Sequence, residues 1–330
     1  VNFISLLQKW YKINKRLLPW RETLSPYNIW ISEIIFQQTR INQGYEYYLN
    51  FIQRFPNVKV LANASEDEVL NSWQGLGYYS RAHNLHFTAK YIVNELNGIF
   101  PNSYHEIIKL KGIGKYTAAA IASISFNEKV PALDGNAFRV YSRVFGSEKD
   151  ISKSSTFTYF FDLIKPLMPE NPGDFNQAIM DFGSMVCTPL HPKCDQCIIQ
   201  EECLAYTNNL QNVLPIKSSS VKIKEESIHY AYLFCKDLTL IKKRNNNSIW
   251  KGLYEFPLFD QNFKNYQIIH NHQIKHKLSH RLLTITISEI EIDENDFYQV
   301  AHKINAIILN KNNLKSYAFP KPMENFLFYN

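Results

Sequence analysis

Two carboxylates, a glycine turn and a tight group of cysteines are the residues of this chain with chemistry to offer. Glu33 stands in Trp30-Ile-Ser-Glu-Ile-Ile-Phe-Gln-Gln-Thr, a strongly apolar helical stretch. A carboxylate is costly to bury charged, so its pKa should rise, and a carboxyl protonated near neutrality can act as a general acid. The bland alternative places Glu33 on the one wet face of its helix. Asp134 lies in Val130-Pro-Ala-Leu-Asp-Gly-Asn-Ala-Phe-Arg-Val, with Asn136 just beyond a glycine and a helix following. Asp is a common helix N-cap, and capping leaves its charge available to a substrate.

Leu110-Lys-Gly-Ile-Gly-Lys-Tyr-Thr-Ala-Ala-Ala-Ile reads as a helix end, a tight turn and a new helix. Gly112 and Gly114 let the backbone turn sharply and approach a ligand without Cβ interference. The N–H groups at the new helix start can bind a phosphate, with Lys115 adding charge. A single G-x-G is weak evidence on its own, since it also serves plain helix–helix turns.

Four of the five cysteines, Cys187, Cys194, Cys197 and Cys203, fall in one window with gaps of six, two and five residues. Four thiolates so close suit one metal centre, either tetrahedral zinc or a [4Fe–4S] cluster. The lone C-x2-C favours iron–sulfur over a zinc ribbon, which uses two such pairs. A structural role is expected, fixing a loop that carries Lys193. Cys235 lies in an apolar strand and reads as a core residue.

The elements that must position these residues fall into two parts. Helical patterns dominate to about residue 185, one opening at Ser25-Pro26 and others covering roughly 66–73, 80–96, 103–110, 116–125, 135–145 and 155–167. A Pro- and Ser-containing linker follows, and then strand-like pieces at Tyr230–Cys235, Leu238–Lys242, Leu282–Ile290 and Ala306–Leu309, with an Asn-rich turn at Asn245–Asn247. The length of 330 residues suits two domains. The net charge of +6 is concentrated late: 20 Lys+Arg oppose 19 Asp+Glu through residue 210, and 16 oppose 11 afterwards. Charge therefore does not mark the first part as a nucleic-acid binder. With no apolar run of membrane length and no secretory signal pattern, a soluble cytoplasmic protein is expected.

In order, the motifs WxSExxxQQT, GLGYY, LxGxGxxTA, LDGN and C-x6-C-x2-C-x5-C resemble the helix-hairpin-helix DNA glycosylases, and the MutY adenine glycosylases in particular. The resemblance spans nearly all of residues 10–205. It implies a mainly α fold: a two-subdomain helix-hairpin-helix glycosylase domain over 1–208 with a [4Fe–4S] loop at 187–203. A linker at 209–226 and a smaller α+β Nudix-like lesion-recognition domain over 227–330 would follow. The implied cofactor is a [4Fe–4S] cluster on Cys187, Cys194, Cys197 and Cys203. The implied partner is double-stranded DNA holding A:8-oxoguanine or A:G mispairs, bound by a monomer associated with a bacterial nucleoid and not with a membrane.

The resemblance also implies roles. Glu33 would protonate the N7 of a flipped adenine and later help activate water, and Asp134 would stabilise the oxocarbenium-like sugar. Tyr116 stands where bifunctional relatives carry a Schiff-base lysine; a phenol cannot form an imine, so a monofunctional enzyme is expected, with Tyr116 hydrogen-bonded near Asp134. Trp20, Arg21, Phe36 and Gln177 would line the adenine pocket. Gln38 and Tyr78 would intercalate beside the mispair. Gly112, Gly114, Lys115 and Asn136 complete the expected DNA-binding set.

Trp250-Lys-Gly-Leu-Tyr-Glu-Phe-Pro resembles the WxGLWEFP stretch of the MutY C-terminal domain. Ser279 and His280 match its lesion-reading Phe-Ser-His loop, but Leu278 replaces the aromatic. No glutamate-rich hydrolysis box follows Pro257, which opposes a pyrophosphatase. Two alternatives stand beside adenine excision: another mismatch or oxidised-base glycosylase or AP lyase of this superfamily, and an inactive DNA-binding relative. Tyr116 opposes the lyase, and the two carboxylates oppose the inactive relative.

Overall fold

The computed structural model describes residues 2–218, 223–244 and 249–328. Two compact units divide the chain, Val1–Ala62 with Phe87–Ser219, and Asn63–His86 with Ser220–Asn330. The helices, in chain order, are α1 (Asn2–Asn14), α2 (Pro26–Ile35), α3 (Ile41–Arg54), α4 (Val58–Asn63), α5 (Glu66–Ser72), α6 (Ser80–Glu95) and α7 (Tyr104–Ile107). They continue as α8 (Lys115–Phe126), α9 (Gly135–Val144), α10 (Ser154–Ile164), α11 (Pro172–Met185), α12 (Leu204–Thr207), α13 (Glu294–Lys303) and α14 (Lys321–Phe328).

In the helical unit, α1, α9, α10 and α11 share a core of Phe3, Leu7, Val140, Tyr141, Phe160, Phe175, Ile179 and Phe182. A second contact joins α2 to α8. Ser25 caps α2 through the Asn28 N–H, and Pro26 occupies its first turn, where its missing N–H costs nothing. Ala118, Ala119, Ala120 and Ala122 of α8 are buried, and these short side chains let neighbouring helices come close. Gly173 of α11 sits so near α8 that a Cβ there would lie 2.8 Å from the Ile124 Cα.

The second unit holds a mixed sheet of β1 (Lys224–Cys235), β2 (Leu238–Lys243), β3 (Tyr254–Glu255), β4 (Ile268–Lys277), β5 (Arg281–Glu291) and β6 (Ile307–Asn310). The strand order is β3-β2-β1-β5-β4, with β6 also on β2. β1 and β5 pair in parallel from Lys224 opposite Arg281 to Phe234 opposite Glu291. Alternation along them divides two cores. Tyr230, Leu283, Ile285 and Ile287 face Phe319, Met323 and Phe326, while Ala231, Leu233, Cys235 and Ile290 face Phe297, Val300 and Ala301. Cys235 is a core residue, as its apolar strand suggests.

Of the expected linker, Leu214 is buried and its carbonyl accepts from Arg143 Nε at 2.9 Å. At the other end, residues from Lys224 onward already belong to β1. The expected turn at Asn245–Asn247 lies outside the described residues. β4 escapes the sequence reading because it is polar: its His, Asn, Gln and Lys side chains are mostly exposed on a sheet edge.

Candidate active site

Glu33 projects from α2 between flanking residues Ile31, Ser32, Ile34 and Ile35, all buried. Burial is the largest influence on its carboxyl, and with the nearby Asp134 charge it pushes the pKa up to about 7. A hydrogen bond with Tyr116 and the charge of Arg21 pull the other way. Glu33 is itself partly exposed while its neighbours on either side are buried, so the wet-face position and the raised pKa stand together.

Tyr116, in the first turn of α8, reaches the same place. Burial first, and then the charges of Glu33 and Asp134, hold its phenol protonated far above the ordinary range. Its hydroxyl also lies 3.5 Å from Met180 Sδ. Glu33 acts on it through charge and a hydrogen bond, and Asp134 through charge. Asp134 has bonds of its own. As the N-cap of α9 it accepts from the Ala137 N–H at 2.7 Å, and Asn136 Nδ2 donates to its other oxygen at 2.7 Å. Burial raises the Asp134 pKa, and these bonds oppose the rise. Capping and proximity to Glu33 thus coexist in one carboxylate.

Asn136 Oδ1 in turn accepts from Arg139 Nη2 at 2.8 Å. A Cβ on Gly183 would lie 2.7 Å from that of Asn136, so α9 and α11 touch here. Asn176 of α11 is buried and braces the segment before Asp134: it accepts from the Ala132 N–H at 3.0 Å and donates to the Val130 carbonyl at 3.0 Å and to Ser123 Oγ at 2.8 Å. Neither Asn176 nor Arg139 was legible as a site residue. A polar side chain amid apolar helix positions was the available signal.

An aromatic cluster adjoins α2. Trp20 lies against Phe36 at 4.4 Å between ring centroids and against Tyr48 at 5.0 Å. A Cβ on Gly44 would come within 2.6 Å of the Phe36 ring, so the glycine makes room for it. Gln177 is buried, and Tyr11 Oη donates to its Oε1 at 3.3 Å. Arg21 is turned toward Asp181, gripping both carboxylate oxygens at 2.6 and 2.9 Å.

At the hairpin, Gly112 has φ of +82° and Gly114 caps α8 with open space where a Cβ would stand. Lys115 Nζ lies 4.5 Å from the centre of the Phe157 ring. Gln38 and Tyr78 are both exposed and both in the left-handed region, at φ of +57° and +46°. Non-glycine residues held there are strained, a feature common at ligand-gripping positions. Arg81 fixes the Tyr78 turn, stacking over the ring at 5.7 Å and donating to the carbonyls of Leu76 and Gly77 at 3.1 Å each. Ser279 and His280 form the exposed tip between β4 and β5, with Ser279 Oγ 3.0 Å from His280 Nδ1. Leu278 packs into the sheet core instead of standing out as a wedge.

The cysteine expectation is corrected. Cys187, Cys194, Cys197 and Cys203 line one small cavity with Phe182 and Ile199. Yet among the described residues no group of three or more His, Cys, Asp or Glu side chains is placed to hold a metal ion. This overturns the [4Fe–4S] assignment. Without a metal, burial pushes the Cys197 thiol up to about 12 and raises Cys194 and Cys203, and the neighbouring cysteines add to the rise. Arginines organise the loop instead. Arg143 Nη1 donates to Cys187 Sγ at 3.3 Å and to the Thr188 carbonyl at 2.8 Å, and Arg139 Nε donates to the Cys187 carbonyl at 2.7 Å.

Known proteins match this arrangement. Residues 31–166 match the family model for HhH-GPD superfamily base excision DNA repair proteins, and residues 229–328 match the NUDIX domain model. An adenine DNA glycosylase of Buchnera aphidicola subsp. Schizaphis graminum is 35% identical, covering 98% of this chain and 97% of its own. The chain belongs to the adenine DNA glycosylase family. A second member, from Buchnera aphidicola subsp. Baizongia pistaciae, is 38% identical over 97% of this chain and 94% of its own. Among solved structures, a thermostable thymine-DNA glycosylase superposes with a TM-score of 0.59 at 28% identity, covering 63% of this chain and 96% of that one. The fold is thus a mainly α helix-hairpin-helix part followed by a smaller mixed α+β Nudix-like part. Among the described residues no helix is long and apolar enough to cross a membrane.

Proposed function

We propose that this protein is a monofunctional adenine DNA glycosylase of base excision repair, acting on adenine opposite 8-oxoguanine or guanine in duplex DNA. The observation that carries the reading is the convergence of Glu33, its pKa raised by burial to about 7, with Tyr116 and the Asp134 charge. The flipped adenine is received at Trp20 and Phe36, with Gln177 beside it. Glu33 gives its proton to N7, and the C1′–N9 bond breaks with its electron pair leaving on the base. Asp134, oriented by Asn136 and the α9 N-terminus, offsets the positive charge that develops on the sugar. Water then adds to C1′ and returns a proton to Glu33. Tyr116 offers no amine, so no imine forms and the DNA strand stays intact.

On this reading residues 1–208 perform excision and 227–330 recognise the lesion, joined through 209–226. The turn at Gly112 and Gly114, with Lys115, holds a phosphate through backbone N–H groups. Gln38 and Tyr78 enter the base stack. Ser279 and His280, at an exposed hairpin tip with only each other as side-chain partners in the hydrogen bonds described, read 8-oxoguanine.

Single-turnover reactions on duplexes with A opposite 8-oxoguanine test the proposal. The expected products are free adenine and an abasic site, with strand breaks only after alkali and little activity in Glu33→Gln. Strand scission without alkali would refute the monofunctional assignment, and full activity in Glu33→Gln would refute the mechanism.

A further inference from the structure

Asp181 plays no part in the chemistry just described, yet its side chain is wholly inaccessible to solvent. It sits on α11 one turn after Gln177 and next to Met180, the residue touched by Tyr116. Arg21 binds both its oxygens, and Arg16 adds its Nε at 2.6 Å and its backbone N–H at 3.2 Å. Burial alone would raise the Asp181 pKa, but the two arginines outweigh it and hold the carboxylate ionised. Arg21 likewise stays charged despite its burial, because Asp181 holds it. Three ionised side chains with one net positive charge are therefore packed together, with Tyr11 against Arg21.

Arg21 is the cationic group that acts on Glu33, where Tyr116 and Asp134 are the other interacting groups. An unaccompanied guanidinium there would favour the carboxylate, the wrong form for a general acid. Asp181 opposes that charge from behind. We propose that Asp181 is a positioning residue which, by holding Arg21 and Arg16 in one buried cluster next to Met180, the residue that Tyr116 touches, sets how much positive charge the general acid feels. The inference rests on Glu33 being that acid.

The cluster carries +1 as it stands, +2 in Asp181→Asn and 0 in Arg16→Gln. The single-turnover rate should fall as pH rises through Glu33 ionisation, and the two variants should move that alkaline limb in opposite directions. A directly contacting charge moves a pKa by about 1–3 pH units. Acting through Arg21, Asp181→Asn should lower the limb by about half a pH unit, a loss of about threefold at alkaline pH. Arg16→Gln should raise the limb by less, and Asp181→Glu should restore it. Equal losses at every pH, or shifts of the same sign, would overturn the proposal. Should Asp181→Asn fail to fold, Arg16→Gln decides alone, since its side chain is 30% exposed; a limb that does not rise refutes the idea. A wild-type profile with no alkaline limb would instead refute Glu33 as the acid.

Discussion

Replacing Glu33 by Gln should stabilise the protein while disabling it, and the size of the gain follows from the site. The folded-state pKa is about 7 against an ordinary value of 4.5. Below pH 4.5 the carboxyl is protonated whether the chain is folded or not, so it costs nothing. Between 4.5 and 7 it ionises in the unfolded chain only, and stability falls with pH. Above 7 both states are ionised and the cost levels off. At about 1.4 kcal/mol per pH unit, the plateau is about 3 kcal/mol. Gln keeps an oxygen for the Tyr116 hydroxyl and carries no charge, so it escapes this cost. Urea denaturation of both proteins at pH 4, 6 and 8.5 measures the difference. The expected gain for Glu33→Gln is near zero at pH 4 and about 3 kcal/mol at pH 8.5. Parallel stability curves across this range would refute the claim that burial stores free energy in this carboxyl.

Asn176→Ala should cost about 3 kcal/mol in denaturant titration, because the Ala132 N–H and the Val130 carbonyl are left buried and unpaired. Asn176→Asp should do no better, since a carboxylate would face that carbonyl; a milder loss in either variant than about 1 kcal/mol would discount the brace. Gly44→Ala should lower the melting temperature despite the roughly 1 kcal/mol that Ala gains in a helix, because its Cβ collides with the Phe36 ring. Adding Phe36→Leu should recover that loss, and failure to recover it would place the damage elsewhere. Ser279→Ala with His280→Ala should reduce the preference for 8-oxoguanine over guanine opposite adenine in competition assays. An unchanged preference would remove the hairpin tip from lesion reading.

Several features could be read from local sequence because local forces create them. Ser25-Pro26 announces the start of α2, and the apolar residues around Glu33 mark it as a carboxyl whose pKa burial would raise. Asp134 before Gly135 signals an N-cap whose bonds span three residues. The change from helical to strand patterning locates the second part of the chain. β4 was invisible because an exposed edge strand lacks the apolar alternation that marks its neighbours.

What the sequence alone determined, then, is the identity of the reactive groups, the order of the elements carrying them and the kinship those motifs declare. Tertiary structure decided which groups meet. Tyr116, Glu33 and Asp134 come to act on one another from α8, α2 and the start of α9. Asp181 closes on Arg16 and Arg21 across about 160 residues of chain. Spacing put four cysteines into one window, but ligation depends on where the thiols point, and the described residues assemble no metal site from them. Such outcomes depend on helix packing and burial, which no local spacing encodes.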